Sequence, residues 1–232
     1  MKYPYSLVKN SFHSKEAWVN VLLLKYITVP LVFIMVNYTR ITPNIISILS
    51  MGFGVLSAYY YFSSNVLFGG LMYFISYIFD ATDGKVARIT KTGKPYGAWM
   101  DISIDRLNLT LISTAIAYNY FLSEGDFKLL LLNSLFLGLS FIGSESRYNI
   151  DIYKLKNSIK DKDETSTSKY GKWCDKMGLI KEPISLPELF LFYLILSPQF
   201  GIEFYSCIIV SLLLVLRILK QQFFWVHVSK SK

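Results

Sequence analysis

Four aspartates, Asp80, Asp83, Asp101 and Asp105, stand in the stretch DATDGKVARITKTGKPYGAWMDISID. The first two are three residues apart and the last two four apart, intervals that stack side chains on one helix face. At about 100° per residue, Asp80, Asp83, Gly84 and Ala87 share one stripe, while Gly97, Asp101, Asp105 and Asn108 share another. The first pair closes the apolar run from Val66 to Phe79, and the second opens the run from Leu107 to Leu122. A carboxylate inside a hydrophobic span costs about 2.5–3.5 kcal/mol even on insertion scales, and it marks a functional site by default. Four of them on neighbouring helices repel one another unless cations sit between them. Hard oxygen donors favour Mg2+, Mn2+ or Ca2+ over zinc or copper. The stretch therefore predicts a divalent-metal site on a membrane helix hairpin.

The rest of the chain has the composition to hold such a hairpin in a membrane. Hydrophobic residues make up 53% of it and charged residues 17%, where soluble domains carry about a quarter charged. Tyr and Phe number 17 each, many near the ends of apolar runs, as an interfacial aromatic belt requires. The net charge of +8 sits in a few connections rather than on one face, so no nucleic-acid partner is expected. Cys174 and Cys207 support neither a disulfide framework nor a zinc site. His13 and His227 stand at opposite ends of the chain, away from any cysteine or glutamate cluster. The N-terminus lacks an apolar core directly after a basic start, so no cleaved signal peptide is expected.

Apolar periodicity and charge predict an all-α integral membrane fold of six transmembrane helices preceded by an interfacial juxtamembrane helix. Residues 1–42 form the N-terminal and juxtamembrane segment, and residues 43–228 form the six-helix domain. The segment 17–39 is apolar but interrupted by Lys25 and Pro30. Thr42-Pro43-Asn44 starts the first span, with Thr at the N-cap and Pro at the first helical position. The second span runs from Val66 to near Arg88, the third from near Gly97 to Leu122, and the fourth from Phe127 to Tyr148. A polar connection of about 149–187 follows; it carries a low-complexity patch from Lys154 to Lys169, and its lysine-rich part from Lys154 to Lys181 is read as a solvated loop near anionic headgroups. Two last runs, Glu188–Leu196 and Phe204–Val226, flank the turn Ser197-Pro198-Gln199-Phe200-Gly201. Lys85, Arg88, Lys91 and Lys94 surround the second connection, and Arg147 with many lysines, Lys160 and Lys162 among them, surrounds the fourth. Both termini are basic, through Lys2, Lys9 and Lys15 at one end and Lys220, Lys230 and Lys232 at the other. The positive-inside rule then puts both termini and the aspartates on the cytoplasmic side, which requires an even number of spans and leaves 17–39 lying at the interface. In a bacterium this membrane is the inner one.

Written out, the stretch is Asp80-x-x-Asp83-Gly84-x-x-Ala87-Arg88, eight residues, then Gly97-x-x-x-Asp101-x-x-x-Asp105. This resembles the signature of the CDP-alcohol phosphotransferases (CDP-alcohol phosphatidyltransferases), with every motif position present. The resemblance implies transfer of a substituted phosphoryl group, here phosphatidyl, from a CDP-alcohol such as CDP-diacylglycerol to a small polar alcohol with release of CMP, in phospholipid biosynthesis. It implies two Mg2+ or Mn2+ ions held by Asp80, Asp83, Asp101 and Asp105, with Asp105 also the general base. It also implies a CDP site lined by Gly84, Ala87, Arg88 and Gly97, with Asn44 beside it, and a homodimer among membrane lipids. For the acceptor, Arg147 and Ser144 are the candidates, with Ser103, Asn108, Glu145 and the start of the fifth span as further pocket candidates.

Plainer readings compete with these. The aspartates could form a structural ion-pair cluster with Lys85, Arg88 and Arg106. Gly84 and Ala87 suit close helix packing, Asn44 suits a helix start, and Arg147 suits snorkelling to headgroups. As whole functions, a Mg-dependent membrane prenyltransferase usually separates its two acidic motifs, whereas these aspartates fall in one stretch. A divalent-cation transporter needs acidic groups through the membrane depth, and spans one, five and six have none in their interiors.

Overall fold

The protein, seen in a computed structural model, is described over residues 2–11, 15–157, 169–181 and 184–230, with side chains to Val226. His13, Lys160, Lys162 and Lys232, and the side chains of His227 and Lys230, lie outside the described residues. The elements are α1 (Tyr5–Asn10), a π turn (Asn20–Leu24) running into α2 (Lys25–Tyr38), α3 (Pro43–Phe62), α4 (Val66–Thr90), α5 (Pro95–Glu124) and α6 (Lys128–Lys156). After them come α7 (Lys169–Met177), α8 (Leu186–Leu191), a second π turn (Phe192–Leu196), α9 (Ser197–Gln199) and α10 (Glu203–Lys230). No strand occurs among the described residues; Glu16 and Leu179 form an isolated bridge.

Local sequence sets the helix ends that matter for the site. Thr42 is the N-cap of α3 with Pro43 at its first position, as the spacing predicts. Asn65 caps α4 by accepting from the Phe68 N–H, and α4 ends at Lys91 in the left-handed region. Pro95 opens α5, and Gly125 closes it at φ 69°, a conformation glycine adopts without a Cβ penalty. The hairpin linking α4 to α5 is therefore only Lys91–Lys94 long, which keeps the two aspartate pairs side by side.

Two apolar clusters hold these helices. The larger joins Ala58, Tyr61, Tyr73, Ile112, Ile116, Phe136, Tyr193, Cys207 and Leu214, and so binds α3–α6 to the second π turn and α10. The smaller joins Val8, Val29, Val32, Met35, Ile46, Val86 and Ile89, and fastens α1 and α2 onto α3 and the end of α4. α3 packs along both α4 and α5. Small residues permit this approach: Ser57 Oγ donates to the Gly69 carbonyl at 2.7 Å. A methyl on Gly54 would lie 2.2 Å from Asn108 Oδ1.

Among the described residues, four helices are long and apolar enough to cross a membrane: Asn20–Tyr38, Pro43–Phe62, Lys128–Lys156 and Glu203–Val226. They mark the chain as a membrane protein. Asn20–Tyr38, expected to lie at the interface, is among them by length and composition. α4 and α5, expected to cross, are not, because aspartates and small polar residues dilute their apolar stretches. The expected turn at 197–201 is corrected in part. Ser197–Gln199 is helical, with Pro198 in its first positions, and the chain turns at Phe200–Ile202 around Gly201 at φ 64°. Leu186–Gln199 is thus one nearly continuous helical stretch of about 14 residues, roughly 21 Å at 1.5 Å per residue. The expected solvated loop is also corrected in part. α6 stays helical to Lys156, and α7 is docked, its Trp173 ring 5.6 Å from that of Trp18 and its Asp175 3.0 Å from Lys15.

Candidate metal centre and catalytic cavity

The hairpin brings the two aspartate pairs together. Carboxylate oxygens of Asp80, Asp83 and Asp101 all lie within 4.8 Å of one another. Across the helix pair, the Asp80 carboxylate feels that of Asp105, and Asp83 that of Asp101. Asp83 is buried, 5% exposed, and the Ser47 hydroxyl of α3 donates to its Oδ2. Three or four carboxylates this close are unfavourable without a compensating cation. The ion pairs of the neighbouring cations lead elsewhere: Lys85 to Glu16 at 3.9 Å and Arg106 to Glu145 at 3.7 Å. The arrangement fits a hard divalent ion bound by oxygens.

Beside the cluster opens a cavity of about 710 Å3. Asp80 and Asp105 face it, whereas Asp83 and Asp101 do not line it. One turn deeper on the same stripes, Ser76 and Asn108 form its floor together with Ser50 of α3. Ser76 Oγ donates to the Ser50 carbonyl at 2.8 Å, and Asn108 Nδ2 reaches Ser76 Oγ at 3.4 Å. Among the described residues, Asn108 Oδ1 is buried without a hydrogen-bond partner. The walls carry Tyr73, Tyr77, Trp99, Arg106, Phe141 and Phe190. Tyr77 donates to Asn20 Oδ1 at 2.9 Å, which joins the first π turn to this wall.

The remaining sequence candidates divide. Gly97 faces α3, where an added methyl would sit 3.2 Å from Asn44 Oδ1, so these two stand together at the mouth of the hairpin. Gly84 lies one turn from Arg88, and a methyl there would be 3.5 Å from the guanidinium; Ala87 is half-buried on the same helix. Ser144 and Glu145 line the cavity. Arg147 does not; it pairs with Asp151 at 3.1 Å on the exposed face of α6. Ser103 points its hydroxyl to the Trp99 carbonyl at 2.8 Å. Sequence reasoning missed Ser47, Ser50 and Ser76 as parts of the site, and took Arg106 only as a partner in a structural ion-pair cluster. Only Ser76 carried a signal, four residues before Asp80 and so on its stripe.

The family model for CDP-alcohol phosphatidyltransferase matches residues 40–228. The chain belongs to that family. It is 32% identical over 77 residues to an archaetidylinositol phosphate synthase of Pyrococcus horikoshii, covering 33% of this chain and 41% of that protein. To an uncharacterized protein of Aquifex aeolicus it is 30% identical over 108 residues, 47% of this chain and 55% of that one. The chain thus spans about half the length, or less, of these curated relatives. The crystal structure of Mycobacterium tuberculosis phosphatidylinositol phosphate synthase with CDP-DAG bound shares the family's fold with it. The TM-score is 0.61 at 17% identity, over 85% of this chain and 92% of that one.

Proposed function

We propose that the protein transfers a phosphatidyl group from a CDP-alcohol, CDP-diacylglycerol first among them, to a small polar alcohol, releasing CMP. The observation that carries this reading is the carboxylate cluster of Asp80, Asp83 and Asp101 beside a cavity onto which Asp80 and Asp105 open. Family membership supplies the substrate class. Asp80, Asp83 and Asp101 would hold Mg2+ or Mn2+, with Asp105 at the edge of a second site. Bound there, the ions supply charge neutralisation to a pyrophosphate that otherwise resists attack.

The chain's own groups do the rest. The acceptor hydroxyl oxygen bonds to the phosphorus that carries the diacylglycerol, the bond from that phosphorus to the CMP oxygen breaks, and the hydroxyl proton passes to Asp105. Asp105 suits this because it faces the cavity, whereas buried Asp83 is held by Ser47. Gly84, Ala87, Arg88, Gly97 and Asn44 border the cytidine side. Ser144 and Arg106 are assigned to the acceptor side, with Arg106 in place of Arg147 because its guanidinium lines the cavity. The name of the Pyrococcus relative makes inositol phosphate the first acceptor to try. With six spans and both termini cytoplasmic, a soluble acceptor and a membrane-borne donor meet at this cavity.

The test is CMP release from CDP-diacylglycerol by the purified protein against inositol phosphate, inositol, glycerol phosphate and serine. Release with one acceptor and not with the others supports the reading. Absence of release with any CDP-alcohol and acceptor pair would remove it.

A further inference from the structure

Lys85 is a cation in an awkward place. It follows Gly84 directly in the aspartate stretch, its side chain is 4% exposed, and Asp80 lies within electrostatic reach of its ammonium. An ammonium that settled among the aspartates would neutralise part of the charge a divalent ion needs. Instead its ion pair is with Glu16, whose carboxylate, 9% exposed, lies 3.9 Å away. A buried pair is expensive to desolvate and is weak evidence of a stabilising role, so its position calls for another account.

Glu16 is held from both sides by backbone. Its N–H donates to the Gly178 carbonyl at 3.0 Å, and its carbonyl accepts from the Ile180 N–H at 3.0 Å. The neighbours add Trp18 Nε1 donating to the Ile180 carbonyl at 2.9 Å and the Val19 N–H donating to Glu188 Oε1 at 3.0 Å. Residues 15–20 are thereby clipped to the segment after α7, and the clip fixes where the Glu16 carboxylate stands.

We propose that Glu16 is a positioning residue that draws the Lys85 ammonium off the aspartate cluster and leaves the cluster's charge to divalent ions. The inference rests on the reading of Asp80, Asp83 and Asp101 as metal ligands. It assigns a role toward the metal to a segment of the chain that precedes the matched family region at residues 40–228. Lys85 pairs with Glu16 at 3.9 Å, and Asp80 and Glu16 both attract the same ammonium.

The experiment is Mn2+ alone, without nucleotide, titrated into the purified full chain and read by the electron paramagnetic resonance of free Mn2+. Glu16→Gln weakens Mn2+ binding about tenfold, the scale of one unit charge moved into a cluster a few ångströms across. The double variant Glu16→Gln with Lys85→Gln returns to within about threefold of the wild type, because no ammonium is left to intrude. Unchanged affinity in Glu16→Gln overturns the inference, and so does equal weakening in the double variant, which would mean that the clip matters only for folding. If Glu16→Gln does not fold, Lys85→Gln alone decides: affinity at or above wild type supports the inference, and weaker binding overturns it. A wild-type protein that binds no Mn2+ would remove the metal site and this inference together, whereas wild-type binding with no response to Glu16 removes the inference alone.

Discussion

Asp105 and Asp83 are identical side chains in different surroundings. Asp105 looks into the cavity, while Asp83 is buried and tied to Ser47. Replacing Asp105 by Asn keeps the shape and removes the proposed proton acceptor. We expect CMP release to fall by about 10²–10⁴-fold while CDP-diacylglycerol still binds; turnover near wild type would strip Asp105 of the base role. Ser47→Ala probes the other side chain. Partners that orient metal-bound carboxylates lower metal affinity by about 10–100-fold when lost, so Mn2+ titration should show that loss, and an unchanged affinity would reduce Ser47 to helix packing. At this scale the four aspartates were legible because helical spacing announces itself within one stretch. Ser47 and Glu16 were not, since a serine in an apolar run or a glutamate near the N-terminus carries no mark of the partner it meets across the fold.

Among elements, α3 does more than span: its face of small residues lets α4 and α5 close around the cavity floor. A methyl added at Gly54 meets Asn108 Oδ1, Cγ and Nδ2 at 2.2–2.6 Å, and Asn is too short to swing clear cheaply. Gly54→Ala should destabilise the protein by about 1–3 kcal/mol, read as a lowered Tm in detergent. Adding Asn108→Ala should recover part of it, and a wild-type Tm in Gly54→Ala would show the floor to be loose. The starts of helices were readable where chemistry is local, as at Thr42-Pro43. The α8–π–α9 stretch was not, because Ser197-Pro198-Gln199 reads as a turn when its proline in fact opens a last helical turn. Nor does hydropathy separate a helix that crosses from one that lies flat, and Asn20–Tyr38 is apolar enough for either.

For the whole molecule, the account requires the α4–α5 connection on the cytoplasmic side and the α5–α6 connection outside. Both native cysteines, Cys174 and Cys207, are buried, so a single exposed cysteine can be labelled against a low background. In sealed right-side-out vesicles, an impermeant maleimide should label Glu124→Cys and spare Lys94→Cys until the vesicles are opened; the reverse pattern would place the cavity on the wrong face of the membrane. If carboxylates of two hairpinned helices hold divalent ions for phosphatidyl transfer, CMP release from CDP-diacylglycerol measured before and after chelation must show it. We expect release with the acceptor present, its loss on chelation, its return with Mg2+ or Mn2+, and no return in Asp101→Asn. Release that persists through chelation at an undiminished rate would contradict it.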